Sequence, residues 1–204
     1  MNDLASPRVP HPIELESYAI MRSRLDTSDL SPLTRAVVER VVHTSADPSW
    51  AGDLVCDEDA LCAGRVALLA GAPLVTDVRM VATGVTSRRC TVALDLPADP
   101  AGDAGLTRSA AGIRAAVRRY PDGAVWAIGN APTALAELLR CAAAGLVHTP
   151  LVIGLPVGFV GAVAAKAALR AAGLPAVSNR TERGGAAVAA AAVNALLYAH
   201  EDTR

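Results

Sequence analysis

The sequence predicts an α/β fold: a single domain with a five-stranded, mostly parallel sheet flanked by helices, Rossmann-like, with a helical N-terminal segment. Three observations carry this. Hydrophobic residues make up 52% of the 204 but aromatics only 3%, so the apolar mass is Ala, Val and Leu, which suits helix-on-sheet packing better than a barrel or sandwich. From Pro73 onward short β-rich runs alternate with longer Ala-rich helical runs, the rhythm of βα units and a parallel sheet. Before Pro73 the apolar residues recur at helical spacing.

The elements follow in order. A first helix is expected from Pro12 to Leu25. A second starts at Ser31, a capping residue, with Pro32 in its first turn, and puts Leu33, Val37, Val41 and Thr44 on one face. A third should run from Glu58 to about Ala70 and close at Gly71, with Leu61, Val66, Leu68 and Leu69 as its apolar residues. Strands are expected at Leu74 to Val78, Cys90 to Leu94, Val125 to Ile128, Leu151 to Gly154 and Ala176 to Ser178. Their helical partners are Thr107 to Arg119, Pro132 to Ala144, Phe159 to Ala172 and Gly185 to His200, with a loop from Leu96 to Leu106. Residues 1–10 read as a flexible N-terminus and 11–204 as the domain.

A formal net charge of -1 provides no positive field for a nucleic acid backbone or an anionic membrane, so neither partner is expected. Cys56, Cys62, Cys90 and Cys141 lack CxxC spacing, which points to free thiols in a reducing cytoplasm rather than to a zinc site or disulfide framework. The opening MNDLASPRVP lacks the apolar stretch of a secretory signal. Cys141 to Ala165 is uncharged and long enough to span a bilayer, but Gly145, Pro150, Gly154, Pro156, Gly158 and Gly161 break it up, so no membrane span is expected.

In open parallel sheets ligands bind beyond the carboxyl ends of the strands. Three strand-to-helix turns belong there: Gly129-Asn130-Ala131-Pro132-Thr133, Pro156 to Gly161, and Asn179 to Gly185. Glycines allow close backbone approach, and free N–H groups at helix starts bind carboxylate or phosphate oxygens, so an anionic ligand is expected. There is no GxxxxGK[ST] loop and no dinucleotide fingerprint. Arg40, Arg108 and Arg183 are the candidate carboxylate forks; Arg108 follows Thr107 at a helix start and Arg40 lies one turn before His43. Of the four histidines, His43 closes a helix beside Thr44, Ser45 and Asp47. Helix C-terminus and carboxylate would both favour its protonated form, as a proton donor near neutral pH or simply as a capping histidine. No serine or cysteine nucleophile motif is legible, and scattered His and Cys argue against a metal.

The segments IELESYAIM, ERVVHTSAD, GAPLVTDVRMVATGVT, TRSAA, AIGNAPTAL, GLPVGFVGA and RGGAAVAAAAVNAL, in this order, resemble the precorrin-8X methylmutase family of cobalamin biosynthesis from about Ile13 to Leu197. The resemblance implies a homodimeric, cofactor-free isomerase that moves a methyl group from C-11 to C-12 of the macrocycle, converting precorrin-8X to hydrogenobyrinate by a 1,5-sigmatropic shift. It implies His43 as proton donor and acceptor, with Ser17, Arg40, Thr86, Arg108, Asn130, Gly158 and Arg183 as substrate contacts. Such a substrate carries many carboxylates, which suits arginines and helix starts, and an intramolecular migration needs no nucleophile, cofactor or metal. Small residues and Phe159 are expected to line the macrocycle faces. Tyr18 stands where the family usually has Phe, Ala164 and Ala165 where it often has Glu-Ser, and Glu182 would repel a substrate carboxylate if it pointed inward. The alternatives are a cobalt-precorrin-8 methylmutase, a non-catalytic corrinoid-binding protein, and an α/β protein binding a nucleotide or other phosphate at the same rim.

Overall fold

The computed structural model describes residues 11–97, 99 and 102–199. The N-terminal pair of helices, α1 (Pro12–Arg24) and α2 (Pro32–Ser45), forms a hairpin, and a short turn of helix, α3 (Trp50–Asp53), leads into β1 (Leu54–Val55). After α4 (Glu58–Leu69) come β2 (Leu74–Thr76), α5 (Arg79–Gly84), β3 (Thr91–Val92), α6 (Arg108–Arg119), β4 (Val125–Ile128), α7 (Pro132–Ala143), β5 (Val152–Gly154), α8 (Ala162–Ala171), β6 (Ala176–Asn179) and α9 (Ala186–Tyr198).

The sheet has six strands in the order β1-β6-β5-β4-β2-β3. The five expected strands are all present and all parallel; the sixth, β1, pairs antiparallel with the edge of β6, Leu54 opposite Asn179. Two residues of strand carry too little pattern to be read in advance. The expected strand at Cys90 to Leu94 is cut to two residues because Ala93–Asp95 turn into a 3-10 helix. The expected helix at Phe159 starts only at Ala162, behind Gly161 at φ 81°.

Strand alternation divides the core. Val125, Ala127 and Ile153 face one layer, with α2, α4 and α9, whereas Trp126, Ile128 and Val152 face the other, with α6, α7 and α8. Leu61 and Leu68 of α4 enter the core as expected, but Val66 and Leu69 do not. The Ala-rich tail is α9, buried along nearly its whole length, and its small side chains let backbone approach closely. A Cβ on Gly84 would lie 2.7 Å from the Ala190 methyl, and one on Gly129 would lie 2.7 Å from Ala189 and 2.8 Å from Val81 Cγ2. Gly129→Ala is therefore expected to destabilise by about 1–3 kcal/mol, read as a lower denaturant midpoint at unchanged slope.

Among the described residues no helix is long and apolar enough to cross a membrane.

Candidate functional site

The parallel strand order reverses between β2 and β4, so the crevice at this switch point is the expected anion site. It is closed from within. Asp77, which follows β2 and is completely buried, accepts hydrogen bonds from the backbone N–H groups of Gly129 (3.0 Å), Asn130 (2.8 Å) and Ala131 (2.9 Å). The amides expected to be free for a ligand hold the protein's own carboxylate instead. Asn130 is thereby fixed by its backbone, and its side chain remains half-buried beside the start of α7.

A first group of side chains assembles where α1 packs on α2. Glu39 anchors the pair: buried in α2, it takes the Arg22 guanidinium (2.6 Å) and the Thr27 hydroxyl (2.7 Å). Burial works against the charge of Glu39, but the bonds from Arg22 and Thr27 outweigh it and lower its carboxyl. This fixes the register that brings Ser17 Oγ to 3.0 Å from His43 Nδ1. Tyr18 stacks on the same imidazole, with ring centroids 4.7 Å apart and planes inclined by 13°. Arg40 donates to Glu14 (3.0 Å) and reaches the Tyr18 hydroxyl at the long limit of 3.5 Å. It also lies over the Tyr198 ring, whose hydroxyl is 2.7 Å from Thr86 Oγ1. Ser17, Arg40, His43 and Thr86 thus join through Tyr18 and Tyr198, neither of which was singled out as a site residue.

A second group sits at the carboxyl end of β6. Arg183 lies over the Trp50 ring and donates to Asp47 (2.5 Å), Ser49 (2.7 Å) and Asp53 (3.2 Å). The Asp47 carboxylate expected beside His43 is paired with Arg183 instead, and Arg183, expected as an open fork for substrate, is held by the protein's own carboxylates. Gly158 is in a conformation with φ 147°, open to glycine, and its N–H donates to the Glu182 carbonyl (3.1 Å). The Glu182 side chain is exposed, and Phe159 at the adjacent tip is 96% exposed rather than packed against a binding face. Arg108 stands apart on the first turn of α6, exposed and without a polar partner among the described residues, while Thr107 Oγ1 meets Thr133 Oγ1 at 2.8 Å.

Beneath this group Lys166 is fully buried, its ammonium donating to Asn179 Oδ1 (2.8 Å) and to the carbonyls of Thr181 (2.5 Å) and Arg183 (2.7 Å). Burial pulls its pKa down to about 8, although Asp53 opposes the shift. Burial would raise the Asp53 carboxyl, but bonds from Asn179, Thr181, the Arg180 N–H and Arg183 hold it down at about 2. Burial pushes the Cys56 thiol up to about 12 and the Cys90 thiol to about 11, so neither is a thiolate near neutral pH. No cluster of His, Cys, Asp or Glu among the described residues has the geometry to hold a metal.

The two groups are linked by chain, since α2 ends just before Asp47. Helix α9 begins beside the second group and ends in the first, a span of about 20 Å.

The scaffold is a doubly wound α/β sheet, and it carries an imidazole at a helix end, bonded by a serine hydroxyl and stacked on a tyrosine ring. Residues 12–199 match the family model for precorrin-8X methylmutase. The precorrin-8X methylmutase of Pseudomonas aeruginosa is 41% identical over 91% of this chain and 94% of its own length. The cobalt-precorrin-8 methylmutase of Methanothermobacter thermautotrophicus is 36% identical over 97% of both. The solved structure of the Thermus thermophilus precorrin-8X methyl mutase superposes with a TM-score of 0.83 at 33% identity, covering 91% of this chain and 93% of that one. The chain belongs to the precorrin-8X methylmutase family.

Proposed function

We propose that the protein isomerises precorrin-8X to hydrogenobyrinate, moving the methyl group from C-11 to C-12 with His43 as the acid that assists the shift. The observation that supports this is the Ser17–His43 bond at 3.0 Å, which engages Nδ1 and leaves Nε2 without a partner among the described residues. A serine hydroxyl donates or accepts as it rotates, so Ser17 suits both the cationic ring before proton delivery and the neutral ring after it. Nε2–H protonates the conjugated macrocycle, the methyl migrates within the same molecule, and Nε2 takes a proton back. Reactant and product are isomers, so no atoms are left to balance. Arg40, Arg108 and the Thr86 hydroxyl are the groups assigned to the carboxylate-bearing side chains, with Asn130 and Gly158 as further contacts and Arg183 as a shaping residue held by Asp47 and Asp53.

Purified protein mixed with metal-free precorrin-8X is expected to develop the hydrogenobyrinate absorbance. Absence of turnover with that substrate, and turnover with cobalt-precorrin-8, would assign the protein to the cobalt-containing reaction that several relatives are named for. Tight binding of both without turnover would make it a corrinoid-binding protein.

The functional unit we infer is a homodimer. Ile13, Leu15 and Ile20 on α1 and Phe159 and Val160 at the tip before α8 are exposed apolar residues, and a second copy covering them would close the open rim around a large ligand. Sedimentation equilibrium is expected to give twice the chain mass. Four unpaired cysteines suit the reducing cytoplasm.

A further inference from the structure

Met21 is the residue of α1 buried in the core, while Tyr18 is half-buried and packs against the edge of that core. Its ring nevertheless lies nearly parallel to the His43 imidazole, 4.7 Å away. We propose that Tyr18 is a positioning residue for the proton transfer: its ring face holds the His43 imidazole in the plane in which Ser17 bonds Nδ1, and favours the cationic form of that imidazole. This rests on His43 being the acid.

The charges around His43 leave that task to the ring. From α1 come Glu14, Tyr18 and Arg22; from α9, Tyr198; from α3, Asp53; from α4, Glu58; α2 itself carries Arg35, Glu39 and Arg40, and Asp47 and Arg183 follow it. No carboxylate among the described residues hydrogen-bonds the imidazole. Glu39 is bonded to Arg22 and Thr27, Asp47 to Arg183 and Ser49, Asp53 to Asn179 and Thr181, and Glu58 to the Leu33 and Thr34 amides at the far end of α2. Glu14 faces Arg40. Arg40, one turn before His43, is a positive charge that opposes a second one nearby. A cation within about 6 Å of an aromatic face is attracted by the negative face of the ring, and Tyr18 meets that condition.

The test is NMR titration of the His43 ring in the full-length protein, beside the pH profile of kcat/KM, for wild type, Tyr18→Phe and Tyr18→Leu. Tyr18→Leu is expected to move the His43 titration and the alkaline limb of the profile to lower pH by about half a unit to one unit, a loss of about three- to tenfold in kcat/KM above that limb. Tyr18→Phe, which keeps the ring, restores both. If Tyr18→Leu does not fold, trifluorophenylalanine against phenylalanine at position 18 makes the same comparison, with the ring face weakened and the shape kept. Identical titrations in all variants would overturn the proposal. A shifted titration with an unmoved rate profile would also overturn it, and would locate the failure in His43 as the acid rather than in the stack.

Discussion

His43→Ala is expected to lower kcat by about 10²–10⁴-fold, the usual worth of a positioned general acid, with substrate affinity changed only a few fold. The split between kcat and affinity is what the geometry demands. His43 is one half-buried side chain beside several groups that can bind carboxylates, so removing its ring costs little binding surface; what disappears is a proton available during migration. His43→Gln is expected to fall with Ala, because an amide can fill the space and hydrogen-bond Ser17 but cannot exchange a proton. Ser17→Ala leaves the ring in place without its bond at 3.0 Å and is expected to cost about tenfold, mostly in kcat. Single-turnover absorbance at several pH values separates these outcomes. Equal turnover by wild type and His43→Ala would make the histidine a helix-end cap and move the proton source elsewhere.

Periodicity and punctuation were enough to find the strands that build the parallel sheet, because each is a short apolar run between turn residues and each βα unit repeats the signal. They were not enough for β1, whose two residues pair with an edge already built. At the site, Ser17 meets His43 and Arg40 reaches Tyr18, side chains carried on the neighbouring helices α1 and α2. The roles of Tyr18 and Tyr198 are not legible in sequence, because a tyrosine at helical spacing is indistinguishable from a core aromatic until its neighbour on another helix is known. The largest misreading was of the rim. Glycine-rich turns at helix starts read as open anion sites, yet Asp77 fills one and Asp47 and Asp53 neutralise Arg183 in another. Carboxylates distant in sequence occupy donors that composition alone leaves vacant, and only long-range geometry shows it.

Asp53→Ala is expected to cost about 3–5 kcal/mol of stability, the range for breaking a buried charged network by removing one partner. Asp53 accepts from Asn179 (2.9 Å), from the Arg180 (2.9 Å) and Thr181 (3.0 Å) backbone N–H groups, from the Thr181 hydroxyl (2.7 Å) and from Arg183 (3.2 Å). Truncation removes five bonds at once, leaves the Thr181 N–H and hydroxyl without this acceptor, and leaves the buried Lys166 ammonium without its nearby negative charge. Lys166→Met alone leaves Asn179 Oδ1 without its donor and removes the shorter bonds to the Thr181 and Arg183 carbonyls, so the double variant is expected to be less destabilised than the sum of the singles, by about 0.5–3 kcal/mol in a double-mutant cycle. The pH dependence has a definite sign. The folded-state pKa of Asp53, about 2, lies below the ordinary value of about 3.9, so its contribution of about 2–3 kcal/mol is complete above that ordinary value and is lost as pH falls through about 2. Glu137, held at about 2 by Arg140 and Arg114 against its burial, adds to the same acid limb in the wild type. The difference in unfolding free energy between wild type and Asp53→Asn, followed by urea denaturation from pH 6 downward, isolates the Asp53 share: it should shrink as the carboxyl protonates. A difference independent of pH would mean that the carboxylate is held no more firmly in the folded protein than in the unfolded chain, and that the loop carrying Arg183 is shaped by its backbone alone.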